Sequence, residues 1–198
     1  MKKLLGLAFT LVAGVSALAQ GTINFNNGAA GVNAPIFDID GTTKLAGTGF
    51  SAQLWAGPAG TAWDSLTAIT PTATFGTGVS AGYLSAATGA GARTIAGVAT
   101  GSTAAFQFRV WNAAFATWDA AWAAYQAGDT TAKVGVNGWA GSGLPTSVLT
   151  SPALGGGATP PPNLLGLTSF QLYQAVPEPS TIALGLLGAA ALLLRRRK

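Results

Sequence analysis

At 198 residues the chain has room for one ordinary domain and is short for two. Hydrophobic residues make up 49% and charged residues only 8%, and cysteine and histidine are both absent. Disulfides, thiolate nucleophiles, Cys/His zinc sites and histidine acid–base chemistry are thereby excluded. The formal charge of +4 suggests a polyanion until the charges are located. Lys2 and Lys3 sit at one end, and Arg195, Arg196, Arg197 and Lys198 at the other. Between residues 20 and 177 there remain Lys44, Arg93, Arg109 and Lys133 against Asp38, Asp40, Asp64, Asp119 and Asp129, a net charge of −1. Nucleic-acid affinity comes from clustered cations that displace counterions. Four scattered ones cannot supply it, so no nucleic-acid partner is expected.

Residues 1–19 read as a secretory signal helix. Lys2 and Lys3 form a basic start, Leu4 to Val15 an apolar stretch, and Ala17-Leu18-Ala19 a small–x–small cleavage site. Signal peptidase is the expected partner, and the mature chain starts at Gln20 or Gly21. The competing reading is a buried first helix of the domain.

The body, residues 20–175, is rich in Gly, Ala, Thr and Ser with short apolar alternations. Thr22 to Asn26 alternates, with Ile23 and Phe25 on one face, and ends at the turn dipeptide Asn27-Gly28. Phe50 to Trp55 places Ala52 and Leu54 opposite Gln53 and stops at Gly57-Pro58. Arg93 to Val98, with Ile95 and Val98, is a weaker strand. Phe106 to Val110 is the clearest, with Phe106, Phe108 and Val110 on one face and Gln107 and Arg109 on the other. Thr117 is placed to cap a helix from about Trp118 to Ala127. Asp119 favours its positive end, Trp118, Trp122 and Tyr125 share one face, and Gly128 suits its exit. Ala153 to Asn163, with its Gly and Pro triplets, predicts a loop. Leu167 to Tyr173 then predicts a last strand with Phe170 and Leu172 inward. Strands divided by Gly-rich turns make a mainly β fold, an antiparallel β-sandwich with one short helix.

Several patterns within the body invite chemistry. Asp38-Ile39-Asp40-Gly41 pairs two carboxylates, but the positions where a calcium loop needs further ligands hold Ile36 and Gly47. A β-turn is expected there, with a loose calcium site involving Asp64 as the alternative. Gly47 to Ala52 fits a glycine fingerprint formally, yet a strand-like segment follows it where a helix is required. It reads as a turn, and no cofactor is expected. Glycoside hydrolysis needs two carboxylates at a set separation, and the five aspartates form no such constellation, so the domain is read as non-enzymatic. Six tryptophans, at 55, 63, 111, 118, 122 and 139, could be core or could stack on the sugar rings of an extracellular polysaccharide. Trp118 and Trp122 are expected to pack the helix on the sheet, while Trp63 and Trp139 stand in loop-like contexts and are the candidate glycan-binding residues.

The C-terminus has three parts: Val176-Pro177-Glu178-Pro179-Ser180-Thr181, an apolar run from Ile182 to Leu194, and the basic end Arg195 to Lys198. The apolar run reads as a short transmembrane helix. As a helix it spans only about 20 Å, against a hydrocarbon core of about 30 Å. With the basic cluster held cytoplasmic, it makes a marginal, transient anchor whose N-terminal side is exported. Both prolines fix φ and remove backbone donors, which keeps the segment extended and out of sheet or helix.

This tail resembles the PEP-CTERM sorting signal of Gram-negative bacteria. The resemblance covers residues 176–198, with Val176, Pro177, Glu178 and Pro179 at the sorting motif and Arg195, Arg196, Arg197 and Lys198 at the basic stop. It implies recognition by exosortase, a membrane-embedded cysteine transpeptidase-like enzyme, cleavage near Pro-Glu-Pro, and delivery to the cell surface or extracellular matrix. Gly21 to Asn27 and Gln53 to Gly60 also resemble, more loosely, a β-rich body carried by many PEP-CTERM proteins, and that likeness brings no active site with it.

Overall fold

The computed structural model describes residues 20–176. The expected signal helix with Ala17 and Ala19, and the motif, apolar run and basic end from Pro177 to Lys198, lie outside the described residues. Among the described residues, ten strands and one α-helix follow one another: β1 (Gln20–Phe25), β2 (Ile36–Phe37), β3 (Phe50–Pro58), β4 (Thr67–Ala73), β5 (Gly91–Ala99), β6 (Ala104–Asn112), α1 (Trp118–Gln126), β7 (Lys133–Val136), β8 (Leu149–Thr150), β9 (Phe170–Gln171) and β10 (Tyr173–Gln174). The fold is mainly β, with antiparallel sheets, one short parallel pair and one α-helix among the described residues.

The largest sheet runs β10-β7-β6-β3-β4, and β8 pairs with β6 beside β7. Its centre is the long β3–β6 pairing, from Phe50↔Asn112 to Pro58↔Ala104. Along β6 the alternation is the expected one, but residues 104–111 are all buried, because both faces of the sheet are covered. Phe106, Phe108 and Val110 enter the main core with Leu54, Ile23, Phe25 and Ile95. The Phe25 and Phe108 rings meet at 5.0 Å between centroids. Each such large side chain contributes roughly 1.5–3 kcal/mol on leaving water.

The layer over this core is an antiparallel ribbon of β1 and β5. Asn27-Gly28 does not close a hairpin; β1 pairs with β5, far along the chain, and Asn27 is fully buried. Between the partners of the adjacent Gln20 and Gly21, β5 inserts Ala96, Gly97 and Val98 as a bulge. Gly97 supplies the left-handed conformation (φ +74°) that the bulge requires. The bulge is why Ile95 and Val98, at the wrong spacing for one strand face, both reach the interior. The other edge of β1 is covered by the predicted loop: Thr22 exchanges backbone hydrogen bonds with Gly155, and the Asn24 N–H donates to the Pro162 carbonyl.

The segment Leu167 to Tyr173 is two short strands. β9 pairs in parallel with β2, Ile36↔Phe170, and β10 pairs antiparallel with β7, Tyr173↔Val134. Leu172 bridges them, its N–H donating to the Phe37 carbonyl at 2.9 Å. Phe170 and Leu172 are buried as expected. The helix also forms where the spacing places it. Thr117 accepts the Ala120 N–H at 3.2 Å. The exit is a Schellman motif, with Gly128 (φ +81°) donating to Tyr125 and Asp129 to Ala124, both at 3.0 Å.

Candidate functional site

Two regions carry the candidate residues: the aromatic layer on the outer face of the large sheet, and the end of the described chain just past β10.

The outer face of β6 presents Gln107, Arg109 and Trp111, flanked by Trp55 on β3 and by Val134 and Val136 on β7. Helix α1 lies over it, and Trp111, Trp118, Ala121, Val134, Val136 and Trp139 form a second core. Trp122 lies between its helical neighbours, nearly parallel to Trp118 (5.8 Å, 9°) and to Tyr125 (5.5 Å, 15°). Trp139 meets Trp122, Tyr125 and Tyr173 edge-on at 5.2–5.6 Å. Such offset and edge-to-face pairs add about 0.5–1.5 kcal/mol each beyond burial.

Arg109 is the residue that sequence reasoning passed over. It is 3% exposed, with its guanidinium 3.9 Å from the Trp55 ring centroid and 5.4 Å from that of Trp118. Its Nε donates to Gln107 Oε1 and its Nη2 to the Trp63 carbonyl, both at 2.8 Å. Burial pushes its pKa down to about 10, with the Asp119 charge opposing the shift. Gln107 is itself fully buried and donates to the carbonyls of Pro145 and Ser147 at 2.6 Å. An arginine inside the apolar run Phe106–Trp111 was the signal for this arrangement.

The two tryptophans expected to bind glycan separate here. Trp139 is 6% exposed and donates from Nε1 to the Ser142 carbonyl at 3.0 Å. Its loop context hid a core position, because three rings from α1 and β10 close over it. Trp63 is half-buried, and among the described residues its ring meets no other aromatic ring or cation. Trp118 packs the helix on the sheet through Trp111, as the helical spacing suggests.

The carboxylate pair in the loop after β2 is committed elsewhere. Asp38 pairs with the Lys133 ammonium at 2.8 Å. Asp40 accepts the Thr42 and Thr43 N–H groups and the Thr43 hydroxyl, and these bonds, the hydroxyl foremost, lower its pKa to about 2. The expected turn is therefore present, closed by Gly41 N–H donating to the Asp38 carbonyl. Gly47–Gly49 is likewise a single helical turn that leads straight into β3. Among the described residues no cluster of three acidic side chains is placed to hold a metal ion.

The last described strand is β10. Gln174 is its last paired residue, opposite Lys133, and its side chain also donates to the Thr130 carbonyl. Two residues on, Val176 is 81% exposed, beside a hollow of 400 Å³ bordered by Ile39 and Tyr173. Among the described residues no helix is long and apolar enough to cross a membrane.

Comparison with known families identifies the segment that begins just past β10: residues 175–198 match the PEP-CTERM protein-sorting motif. The chain thus carries the signal of an exported protein that exosortase processes, bound for the cell surface or extracellular space of a Gram-negative bacterium. No curated protein and no solved structure matches the chain.

Proposed function

We propose that residues 20–175 form a non-enzymatic structural or interaction domain, an antiparallel β-sandwich in design, which exosortase delivers to the cell surface or the extracellular polymer matrix. In this reading signal peptidase cuts after Ala19, and Pro177, Glu178 and Pro179 form the processing motif. Ile182 to Leu194 is the transient anchor, and Arg195 to Lys198 the cytoplasmic stop. The observation that carries the proposal is the position of the sorting motif just past the last described strand, where Val176 is exposed. Exposure of the chain at Val176 is what access by a processing enzyme to the following Pro-Glu-Pro requires. The non-enzymatic part is supported by how the charged side chains are used. Arg93 and Arg109 are buried against carbonyls and rings, Lys133 holds Asp38, and Asp40 and Asp129 accept bonds from their own turns. Sequencing the terminal peptides of the native protein from the outer fraction tests the proposal.

The half-buried Trp63, whose ring has no aromatic or cationic partner among the described residues, favours a second reading: a carbohydrate-binding module that stacks sugar on that indole. Retardation in a polysaccharide gel, lost on Trp63→Ala, is its test.

A further inference from the structure

Away from the tryptophans, an open pocket of 570 Å³ lies between the loop after β1 and the turn around residues 78–84. That volume is within the usual range for small-ligand sites, about 300–1,000 Å³. Its polar lining comes from Asn26, Asn33, Ser80 and Tyr83, and its apolar lining includes Val32 and Val79. Val79 is 99% exposed at the rim, a cost in water that a ligand's C–H surface would relieve.

The walls are fixed before any ligand arrives. Behind them, the buried Asn27 side chain donates to the carbonyls of Ala34 and Gly82 and accepts the Leu84 N–H, all at 2.8 Å. One amide thus ties the two segments that form the pocket. In front, the Gly28 N–H donates to Asn26 Oδ1 at 2.8 Å, and the Tyr83 hydroxyl donates to Asn33 Oδ1 at 2.6 Å. Both asparagines have their oxygens engaged, and their amide nitrogens donate to no group among the described residues. The pocket therefore offers fixed N–H donors from Asn26 and Asn33, hydroxyls from Ser80 and Tyr83, and aliphatic surface between them. None of its lining side chains is charged. Lys44 lies outside the lining, over the Tyr83 ring at 5.6 Å.

We infer that this pocket binds a neutral, hydroxyl-rich ligand, one sugar residue of an uncharged polysaccharide. Amide donors meet its hydroxyl oxygens, the two protein hydroxyls accept from it, and the valines cover a C–H face. Burying a charged sugar against this lining would leave the charge uncompensated. The inference deepens the interaction-domain reading and is independent of how the tail is processed.

Affinity electrophoresis of the full-length chain in a zwitterionic detergent tests it, with dextran, laminarin or galactomannan in the gel and alginate as the anionic comparison. Retardation is expected with at least one neutral polymer and not with alginate. Ala30→Trp fills the pocket from an exposed position and abolishes it. Asn33→Ala weakens it about tenfold, the loss of one good hydrogen bond, and Trp63→Ala leaves it unchanged. Retardation lost with Trp63→Ala but kept with Ala30→Trp overturns the pocket while the interaction-domain reading stands. Retention by alginate alone, or by none of the polymers, overturns the neutral-sugar assignment.

Discussion

The guanidinium of Arg109 lies 3.9 Å from the centroid of the Trp55 ring, inside the protein and with no carboxylate in ion-pair contact among the described residues. Its charge is stabilised by ring faces, neutral oxygens and, without a direct ion pair, the Asp119 charge. Removing it orphans the Gln107 amide oxygen and the Trp63 carbonyl and opens a cavity under α1. Arg109→Ala is expected to lower stability by about 3 kcal/mol. Arg109→Lys recovers less than half of that, because an ammonium cannot reproduce a planar group that both stacks and donates in a fork. Urea denaturation of both variants measures the difference.

The sequence sets Trp122 on a helix face and Trp63 in a loop, and the fold uses them differently. Trp122 has Trp118 and Tyr125 stacked on either side and Trp139 against its edge. Trp122→Ala is expected to cost about 3 kcal/mol. Trp63→Ala keeps the backbone carbonyl that receives Arg109, and costs less than about 1 kcal/mol. Equal losses in the two denaturation curves would contradict the packing of Trp122 against the second core.

Acid stability should report the turn at Asp40. Its pKa falls from 3.8 to about 2 in the fold, so the folded state favours the charged carboxylate. That stabilisation is complete above the unfolded value and disappears as pH falls through about 2. Thermal midpoints of the protein and of Asp40→Asn should therefore differ at pH 5 and converge near pH 2. Asp129, lowered in the same direction by the Thr131 N–H and hydroxyl, predicts that the difference made by Asp129→Asn likewise shrinks as the pH is lowered.

Asn27 is expected to be the most sensitive polar position near the pocket. Asn27→Ala loses three buried hydrogen bonds and leaves the Ala34 carbonyl and the Leu84 N–H unpaired, while the Gly82 carbonyl keeps the Ile36 N–H, at about 3 kcal/mol. Asn27→Asp keeps the acceptor for Leu84 but turns a carboxylate oxygen toward the Ala34 and Gly82 carbonyls. It should be worse at neutral pH and partly recover in acid, when the carboxyl can donate once. Hydrogen exchange at the Leu84 amide, measured across pH, follows both effects.

The elements legible in sequence are those whose signal is local. Alternation reveals β6 and β3, and Thr117, the Trp118–Trp122–Tyr125 spacing and Gly128 delimit α1. β4 was hidden by Pro71 and by the excursion between Ile69 and Ala73, whose partners Leu54 and Ala52 are two residues apart. β7 was too short, and Gly135 interrupts its valines. Pairing was not legible: Asn27-Gly28 has the chemistry of a hairpin turn, yet β1 finds β5. Burial of Trp139 likewise depends on rings brought from α1 and β10, which no window around residue 139 contains. The pocket joins Asn33 to Tyr83, 50 residues apart, and was invisible for the same reason. The sorting tail was legible throughout, because an enzyme reads it as a linear signal.

The central claim, export followed by exosortase processing, is tested most directly by the intact mass and terminal peptides of the native protein recovered from the outer fraction. The account predicts a species that begins at Gln20 or Gly21 and ends near Pro177-Glu178-Pro179, with any added mass on that new end identifying its attachment. A protein that still carries Arg195 to Lys198 would contradict it and describe a membrane-tethered domain instead.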